Sequence, residues 1–221
     1  MNRWDRTVEL AARHGMGGLV KEYYYGLLDR YYDWYFDVDT RGLTSKEELN
    51  LCAEEWHEYS SVYYQHIFNA LKRLPVEKSE SVFLDYGCGK GRALIAANSI
   101  GYKKIIGIEI SRLVDVASSN VTRMRHRKTL DIELKQCDAT VFSVPSDVNI
   151  IYFYNPFRGA TLEAVIKNIH SSYMKTKRRV FIVYFNNGHF DKIVSSCRWL
   201  TKRSQEEVHC RTSCAVYETI G

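Results

Sequence analysis

The chain has 221 residues, of which 45% are hydrophobic and 26% charged, and its formal net charge is +5. This composition supports one full hydrophobic core and excludes a disordered or low-complexity protein. The longest apolar runs are strand-sized, Asp5 and Glu9 argue against a transit peptide, and the six cysteines lack paired Cys-x-x-Cys spacing. We therefore expect a reduced, cytoplasmic protein without a membrane span or a metal site.

Residues 1–75 are expected to form a helical extension. Aromatic residues crowd positions 19–36, where apolar side chains recur at helical spacing. The face that they predict consists of Tyr24, Leu27, Leu28, Tyr31 and Tyr35. A helix that packs this face into the core explains the pattern. The rings on its other faces leave open that the segment lines a pocket or contacts a partner.

Two shorter helices are predicted later in this extension. One starts at Ser45, because Glu48 stands three residues later as a capping-box partner. The other covers 61–74 and is stopped by Pro75.

A strand, a glycine-rich turn and a helix follow one another between residues 81 and 100. The predicted strand, 81–86, ends in Asp85 and Tyr86. Glycines then occupy every second position: Gly87, Gly89 and Gly91. Such a turn lets the backbone approach a ligand closely. The start of the next predicted helix, 91–100, offers unpaired N–H groups to a negative group.

This segment resembles motif I of the class I S-adenosylmethionine (SAM) dependent methyltransferases. The resemblance implies that five residues shape the pocket for the methionine and ribose parts of SAM: Asp85, Tyr86, Gly87, Gly89 and Gly91. A nicotinamide-binding turn instead has the spacing G-x-G-x-x-G. Here the third glycine comes one residue early, and Arg92 stands where that pattern has its last glycine, which disfavours an oxidoreductase.

A second predicted strand, 104–109, ends in an acid. At the tip of the second strand of a βαβ unit, Glu109 can accept hydrogen bonds from both ribose hydroxyls. We assign Ile110, the next residue, to the same site. The alternative is that Glu109 is a solvated acid at a strand end.

Strands and helices alternate through the rest of the chain, which is typical of a parallel sheet with helices on both faces. The predicted helices are 112–127 and 160–174, and the predicted strands are 131–135, 148–154, 179–185, 199–204 and 215–220. In this family the last two strands form an antiparallel hairpin at the sheet edge. We therefore predict an α/β fold with a seven-stranded, mostly parallel, Rossmann-like methyltransferase sheet as a SAM-binding domain over 76–221.

The loop after the third strand carries Cys137, Asp138 and Ala139. In the methyltransferase pattern, an acid here accepts a hydrogen bond from the adenine amino group, and a neighbouring backbone N–H contacts a ring nitrogen. The resemblance thus assigns Asp138 and Ala139 to the adenine site. Otherwise Asp138 is simply a loop acid.

The fourth strand ends in Asn155, Pro156 and Phe157, the position of motif IV. The triplet resembles the Asn-Pro-Pro-Tyr/Phe motif of methyltransferases that act on amide or exocyclic amino nitrogen. The resemblance implies that these three residues face the acceptor, that Asn155 also borders the cofactor, and that the acceptor is a nitrogen on a protein side chain or a small amine. The alternative is that Asn-Pro merely ends the strand.

The extension resembles that of a largely uncharacterised group of methyltransferases with an Asp-Thr-x-Gly turn, which here begins at Asp39. A tyrosine-containing loop near the cofactor follows in that group, which implies cofactor contacts for Tyr59 and Tyr63. Non-SET protein lysine methyltransferases share similar glycine-rich and loop features and are a more distant resemblance.

Two basic runs, 123–128 and 175–179, fall where the amino edge of the sheet is expected. Solvated helix ends explain them better than nucleic-acid contact does. His189, after the fifth strand, is a candidate general base by its placement. A protein or a small molecule is the expected methyl acceptor. A small-molecule O-methyltransferase and a SAM-binding scaffold without transfer activity stay open as alternatives.

Overall fold

The computed structural model describes residues 3–45, 47–49, 59–209 and 212–220, with backbone only for 3–14 and 209. In this part of the chain, no helix combines the length and the apolar character that crossing a bilayer requires.

The predicted capping box is present. The Ser45 amide donates to the Glu48 carboxylate at 3.3 Å, and the Glu48 amide donates to Ser45 Oγ at 3.3 Å. Positions 46 and 50–58 lie outside the described residues, and with them most of the helix predicted from Ser45.

Seven strands form one mixed sheet. Their bounds are Val82–Tyr86 (β1), Lys104–Glu109 (β2), Ile132–Gln136 (β3), Val148–Tyr154 (β4), Phe181–Phe185 (β5), Leu200–His209 (β6) and Thr212–Thr219 (β7). The strand order is β3-β2-β1-β4-β5-β7-β6. Strands β1 to β5 run parallel, and β7 runs antiparallel between β5 and β6. The predicted sheet with its antiparallel C-terminal hairpin is confirmed.

Helices cover both faces of this sheet. Their bounds are Arg3–Phe36 (α1, interrupted at Gly15), Tyr64–Lys72 (α2), Arg92–Ile100 (α3), Leu113–Arg123 (α4), Gly159–Lys175 (α5) and Gly188–Val194 (α6). Helix α4 ends before the predicted residue 127, because the chain leaves the helical region at Met124 and is left-handed at His126. The short helix α6 was not predicted, since seven residues carry too little periodicity.

Apolar strand residues alternate between two core layers, one on each face of the sheet. Phe83 and Tyr152 belong to the layer shared with α2, α3 and α4, and Leu84 and Ile151 to the layer shared with α5 and α6. All four side chains are at most 2% exposed. Complete burial of one such side chain contributes about 1.5–3 kcal/mol. These layers fix the carboxyl ends of the parallel strands, where the connecting loops converge.

The prediction that the tyrosine- and leucine-containing face of α1 packs into the core is wrong. Its members are largely exposed: Tyr24 is 55% exposed, Leu27 44%, Tyr31 49% and Tyr35 37%. The helix instead buries Asp29, Asp33 and Phe36. The two acids are buried because they bind cationic and backbone groups from distant parts of the chain, which local periodicity does not reveal.

Candidate functional site

A cavity of about 240 Å³ opens at the carboxyl ends of β1, β2 and β4. Its wall contains most of the predicted site residues: Tyr59, Asp85, Gly87, Glu109, Ile110, Asp138, Ala139, Asn155, Pro156 and Phe157. All of them except Tyr59 lie at the ends of β1 to β4 or in the loops that follow, and the parallel strands bring them together because their carboxyl ends meet at one edge of the sheet.

Four predicted site residues stand outside the described cavity wall. Tyr86 is fully buried and stacks on the Phe153 ring at 5.0 Å. Tyr63 stacks on the ring of Tyr25 at 5.5 Å. Gly91 caps the start of α3, and Gly89 lies under the ring of Tyr59. Gly89 and Gly91 thus belong to the turn that contributes to the wall, whereas Tyr86 and Tyr63 pack against other aromatic rings.

The turn after β1 is packed so tightly that side chains are excluded. A Cβ on Gly87 would lie 2.7 Å from Pro156 Cβ, and one on Gly89 would overlap the ring of Tyr59. Both glycines have left-handed backbone (φ 74° and 51°), which favours glycine. The turn therefore joins three predicted motifs in one wall: the glycine segment, the Asn-Pro-Phe segment and the tyrosine loop.

Glu109 is held firmly at the end of β2 and is 8% exposed. Its Oε2 accepts a hydrogen bond from the Gly89 amide at 2.9 Å. Its Oε1 accepts from the Ser111 amide at 3.0 Å and from Ser111 Oγ at 2.8 Å. A carboxylate has about four lone-pair sites, so these three bonds fix its orientation and leave about one site free to accept from a ligand hydroxyl.

Asp85, at the end of β1, is buried in the same wall at 3% exposure. Burial raises its pKa well above the usual range, and the nearby Glu109 carboxylate raises it further. Burial therefore favours the neutral form of this acid, and a cationic group bound beside it would lower the pKa again by stabilising the charged form.

Arg92, the first residue of α3, is also in the cavity wall and only 4% exposed. Its Nη1 forms an ion pair with Asp29 and donates to the Val62 carbonyl at 3.1 Å, and its Nε donates to Thr40 Oγ1 at 2.9 Å. Its Nη2 is buried and has no hydrogen-bond partner within the described ranges. A buried unpaired donor costs about 1–3 kcal/mol, and the guanidinium lies over the Tyr64 ring at 4.8 Å.

The Asp-Thr-x-Gly turn holds the start of α3. Thr40 Oγ1 donates to Asp33 at 2.8 Å, Lys90 Nζ donates to the Arg41 carbonyl at 2.6 Å, and Tyr59 Oη donates to the Thr40 carbonyl at 2.7 Å. The turn therefore links the helical extension to the glycine segment.

Asp138 lies on the cavity wall after β3. Its Oδ1 accepts two hydrogen bonds from Thr140, at 2.8 Å from the amide and 2.8 Å from the hydroxyl. These bonds fix the carboxyl group in a turn at the edge of the cavity.

Two asparagines complete the wall at the ends of β4 and β5. Asn155 and Asn186 both line the cavity, both have left-handed backbone, and the Oδ1 of each is buried with no hydrogen-bond partner in the described part of the chain. Sequence analysis singled out Asn155 only. The signal for Asn186 was its place directly after a predicted buried strand, as for Asn155.

The remaining candidates lie elsewhere. His189 is exposed on α6 and is not part of the described cavity wall. The basic runs precede β3 and β5, at the amino edge of the sheet as expected. There Arg179 pairs with Glu218, and Arg125 pairs with Asp37.

No protein-family model matches the sequence, and no curated protein matches it either. Solved structures do resemble the fold. A ribosomal protein L11 methylase from Lactobacillus delbrueckii subsp. bulgaricus has a TM-score of 0.55 at 14% identity, over 73% of this chain and 80% of that one. The Rossmann-like fold is that of class I methyltransferases.

Two further solved structures have a similar fold. An RNA methyltransferase from Salinibacter ruber, in complex with S-adenosyl-L-homocysteine (SAH), has a TM-score of 0.55 at 18% identity, over 72% of this chain and 94% of that one. A SAM-dependent methyltransferase from Aquifex aeolicus has a TM-score of 0.54 at 14% identity, over 70% of this chain and 89% of that one. At these identities the likeness shows the fold.

Proposed function

We propose that the protein is a SAM-dependent methyltransferase whose acceptor is a nitrogen on a protein side chain or a small amine. The observation that carries this proposal is the cavity at the carboxyl edge of the sheet. There the glycine turn after β1, Glu109 of β2 and the Asn-Pro-Phe segment after β4 form one wall. We further propose that residues 1–75 act as a cap on the SAM-binding domain, 76–221.

The chain's own groups fit SAM. Glu109 would accept from a ribose hydroxyl, and Asp138 and Ala139, which line the same cavity, would contact adenine. Asp85 lines the cavity and would pair with the ammonium of the methionine part once that cation favours its charged form. The unpaired Nη2 of Arg92 suits its carboxylate, since guanidinium binds carboxylates by charge-assisted hydrogen bonds.

When bound, SAM supplies a methyl group on a sulfonium, and the acceptor lone pair takes that carbon as sulfur keeps the electrons of the broken bond. Asn155, Pro156 and Phe157 would orient the acceptor, and orientation supplies much of the rate in such a displacement. The aromatic face of Phe157 favours a cationic group nearby and helps to exclude water.

The structural neighbours do not identify the acceptor. Their names include a ribosomal protein methylase and an RNA methyltransferase, so their acceptors differ among themselves. The nitrogen acceptor rests on the Asn-Pro-Phe segment of this chain.

Calorimetric titration of the full chain with SAM, SAH and NADH tests the proposal, after removal of any co-purified nucleoside. We expect micromolar binding of SAM and SAH and none of NADH. Binding of NADH instead would overturn the proposal. Binding of SAM and SAH without transfer to any amine in a labelled-methyl screen would favour a scaffold.

A further inference from the structure

Strands β4 and β5 end side by side in two asparagines. The parallel register pairs Tyr154 with Phe185, so the next residue of each strand leaves the sheet next to its counterpart, with the strands about 4.8 Å apart. Asn155 has φ 40° and Asn186 has φ 58°. Asparagine is among the few residues besides glycine that adopt this conformation readily. Both side chains line the same cavity.

The amide oxygens of these two residues are unused by the fold. Each Oδ1 is buried, and neither has a hydrogen-bond partner among the residues that the structure describes. The next residue, Asn187, is a contrast. Its Nδ2 donates to Asp191 at 2.6 Å and to Tyr217 Oη at 2.9 Å, and its Oδ1 accepts from Ser213 Oγ at 2.8 Å. Asn187 serves the fold, whereas Asn155 and Asn186 both line the cavity and each keeps an amide oxygen that no described residue uses.

We propose that Asn155 and Asn186 form one subsite for the acceptor nitrogen, and that this nitrogen belongs to a primary amino group. An amino group has at least two N–H donors and can satisfy both oxygens, whereas a hydroxyl has one donor and would leave one oxygen unpaired. This inference rests on the proposed function and adds a second acceptor-contacting residue to it.

The rest of the wall fits an amino group as well. The charged side chains of the described wall are three acids, Asp85, Glu109 and Asp138, and Arg92, whose charge is balanced by Asp29. Glu109 and Asp138 disfavour an anionic group there, whereas Asp85, whose pKa is raised by burial, adds negative charge only when it is ionised. The rings of Tyr154 and Phe157 border the same space, and aromatic faces attract alkylammonium groups.

A binding experiment tests the subsite without knowledge of the natural acceptor. Sinefungin is a SAM analogue in which an amine-bearing carbon replaces the methyl sulfonium, so its amine extends toward the acceptor side. SAH has no such amine. We expect calorimetry on the full wild-type chain to show at least tenfold tighter binding of sinefungin than of SAH.

The decisive variant is Asn186→Gly, because glycine adopts the left-handed backbone at this position without strain. It should reduce the preference for sinefungin at least fivefold and leave the affinity for SAH within twofold. Asn186→Asp, which keeps an oxygen at the same place, should retain the preference. His126→Gly is the matched control, since His126 is also left-handed (φ 59°) and lies outside the cavity wall.

The outcomes separate the two proposals. Failure of the wild-type chain to bind SAH would overturn the proposed function, and the subsite with it. Binding of SAH without a sinefungin preference, or a preference that Asn186→Gly leaves unchanged, would overturn the subsite alone.

Discussion

Arg92, at the start of α3, forms a buried ion pair with Asp29 of α1, a residue 63 positions earlier in the chain. Their side chains are 4% and 7% exposed. Asp29 also accepts a hydrogen bond from the Tyr64 amide at 2.9 Å. The pair therefore connects the helical extension to the glycine segment, and it places the guanidinium against the cavity.

Arg92→Met should lower the free energy of unfolding by about 3–5 kcal/mol, because Asp29 would remain buried without its counter-ion. Urea denaturation measures this loss. The double variant Asp29→Leu/Arg92→Met should recover most of it, since both charges are then absent. A single-variant loss below about 1 kcal/mol would show that the pair contributes little.

The same double variant also tests the ligand role of Arg92. It should bind SAH about tenfold more weakly than the wild type, since a charge-assisted hydrogen bond contributes about 1.5–3 kcal/mol. Methylthioadenosine, which has no carboxylate, should bind both proteins equally. Equal losses for the two ligands would instead indicate a general distortion of the cavity.

Asp85 should make the apo-protein less stable as the pH rises. Its pKa is raised in the folded state, mainly by burial and then by Glu109, so the folded protein holds a proton that the unfolded chain releases near its ordinary pKa of about 3.9. The resulting stability is fully present below that value and is lost as the pH rises through the folded-state pKa.

Thermal unfolding between pH 4 and pH 9 tests this dependence. Asp85→Asn should show a flatter profile and should be more stable than the wild type at the alkaline end, because it has no carboxyl group to ionise. Parallel profiles for the two proteins would contradict a raised pKa at this position.

Glu109→Ala should weaken SAH binding by about 1.5–3 kcal/mol, which is roughly ten- to hundredfold. The carboxylate would no longer accept from the ribose, and the Gly89 amide would lose its partner. Ser111→Ala is a suitable control, because it removes one donor to Glu109 and leaves the carboxylate in place. An unchanged SAH affinity in Glu109→Ala would refute the ribose role.

The central part of the fold was predictable because its signals are local. Buried strands alternate with helices, and the glycines at 87, 89 and 91 resemble motif I, from which, together with Glu109, a nucleoside site is predicted. The strand bounds at Lys104–Glu109 and Val148–Tyr154 agree with the prediction to the residue.

The orientation of α1 was not predictable in the same way. Periodicity favoured burial of its tyrosines, but Asp29 and Asp33 are buried because Arg92, Thr40 and Arg41 bind them. Those partners come from elements that only the tertiary fold brings together. Asn186 was missed for a similar reason. Its position beside Asn155 depends on the register between β4 and β5.

Asn155→Gly should abolish methyl transfer while SAH binding stays within about threefold of the wild type. Glycine keeps the left-handed backbone at this position, so the change removes the side-chain oxygen that would hold the acceptor and leaves the cofactor wall formed by Glu109 and Asp138. Labelled-methyl transfer to the amine found in the acceptor screen measures the first quantity, and calorimetry the second. Retention of both would mean that the Asn-Pro turn is purely structural, and loss of both would place Asn155 in the cofactor site.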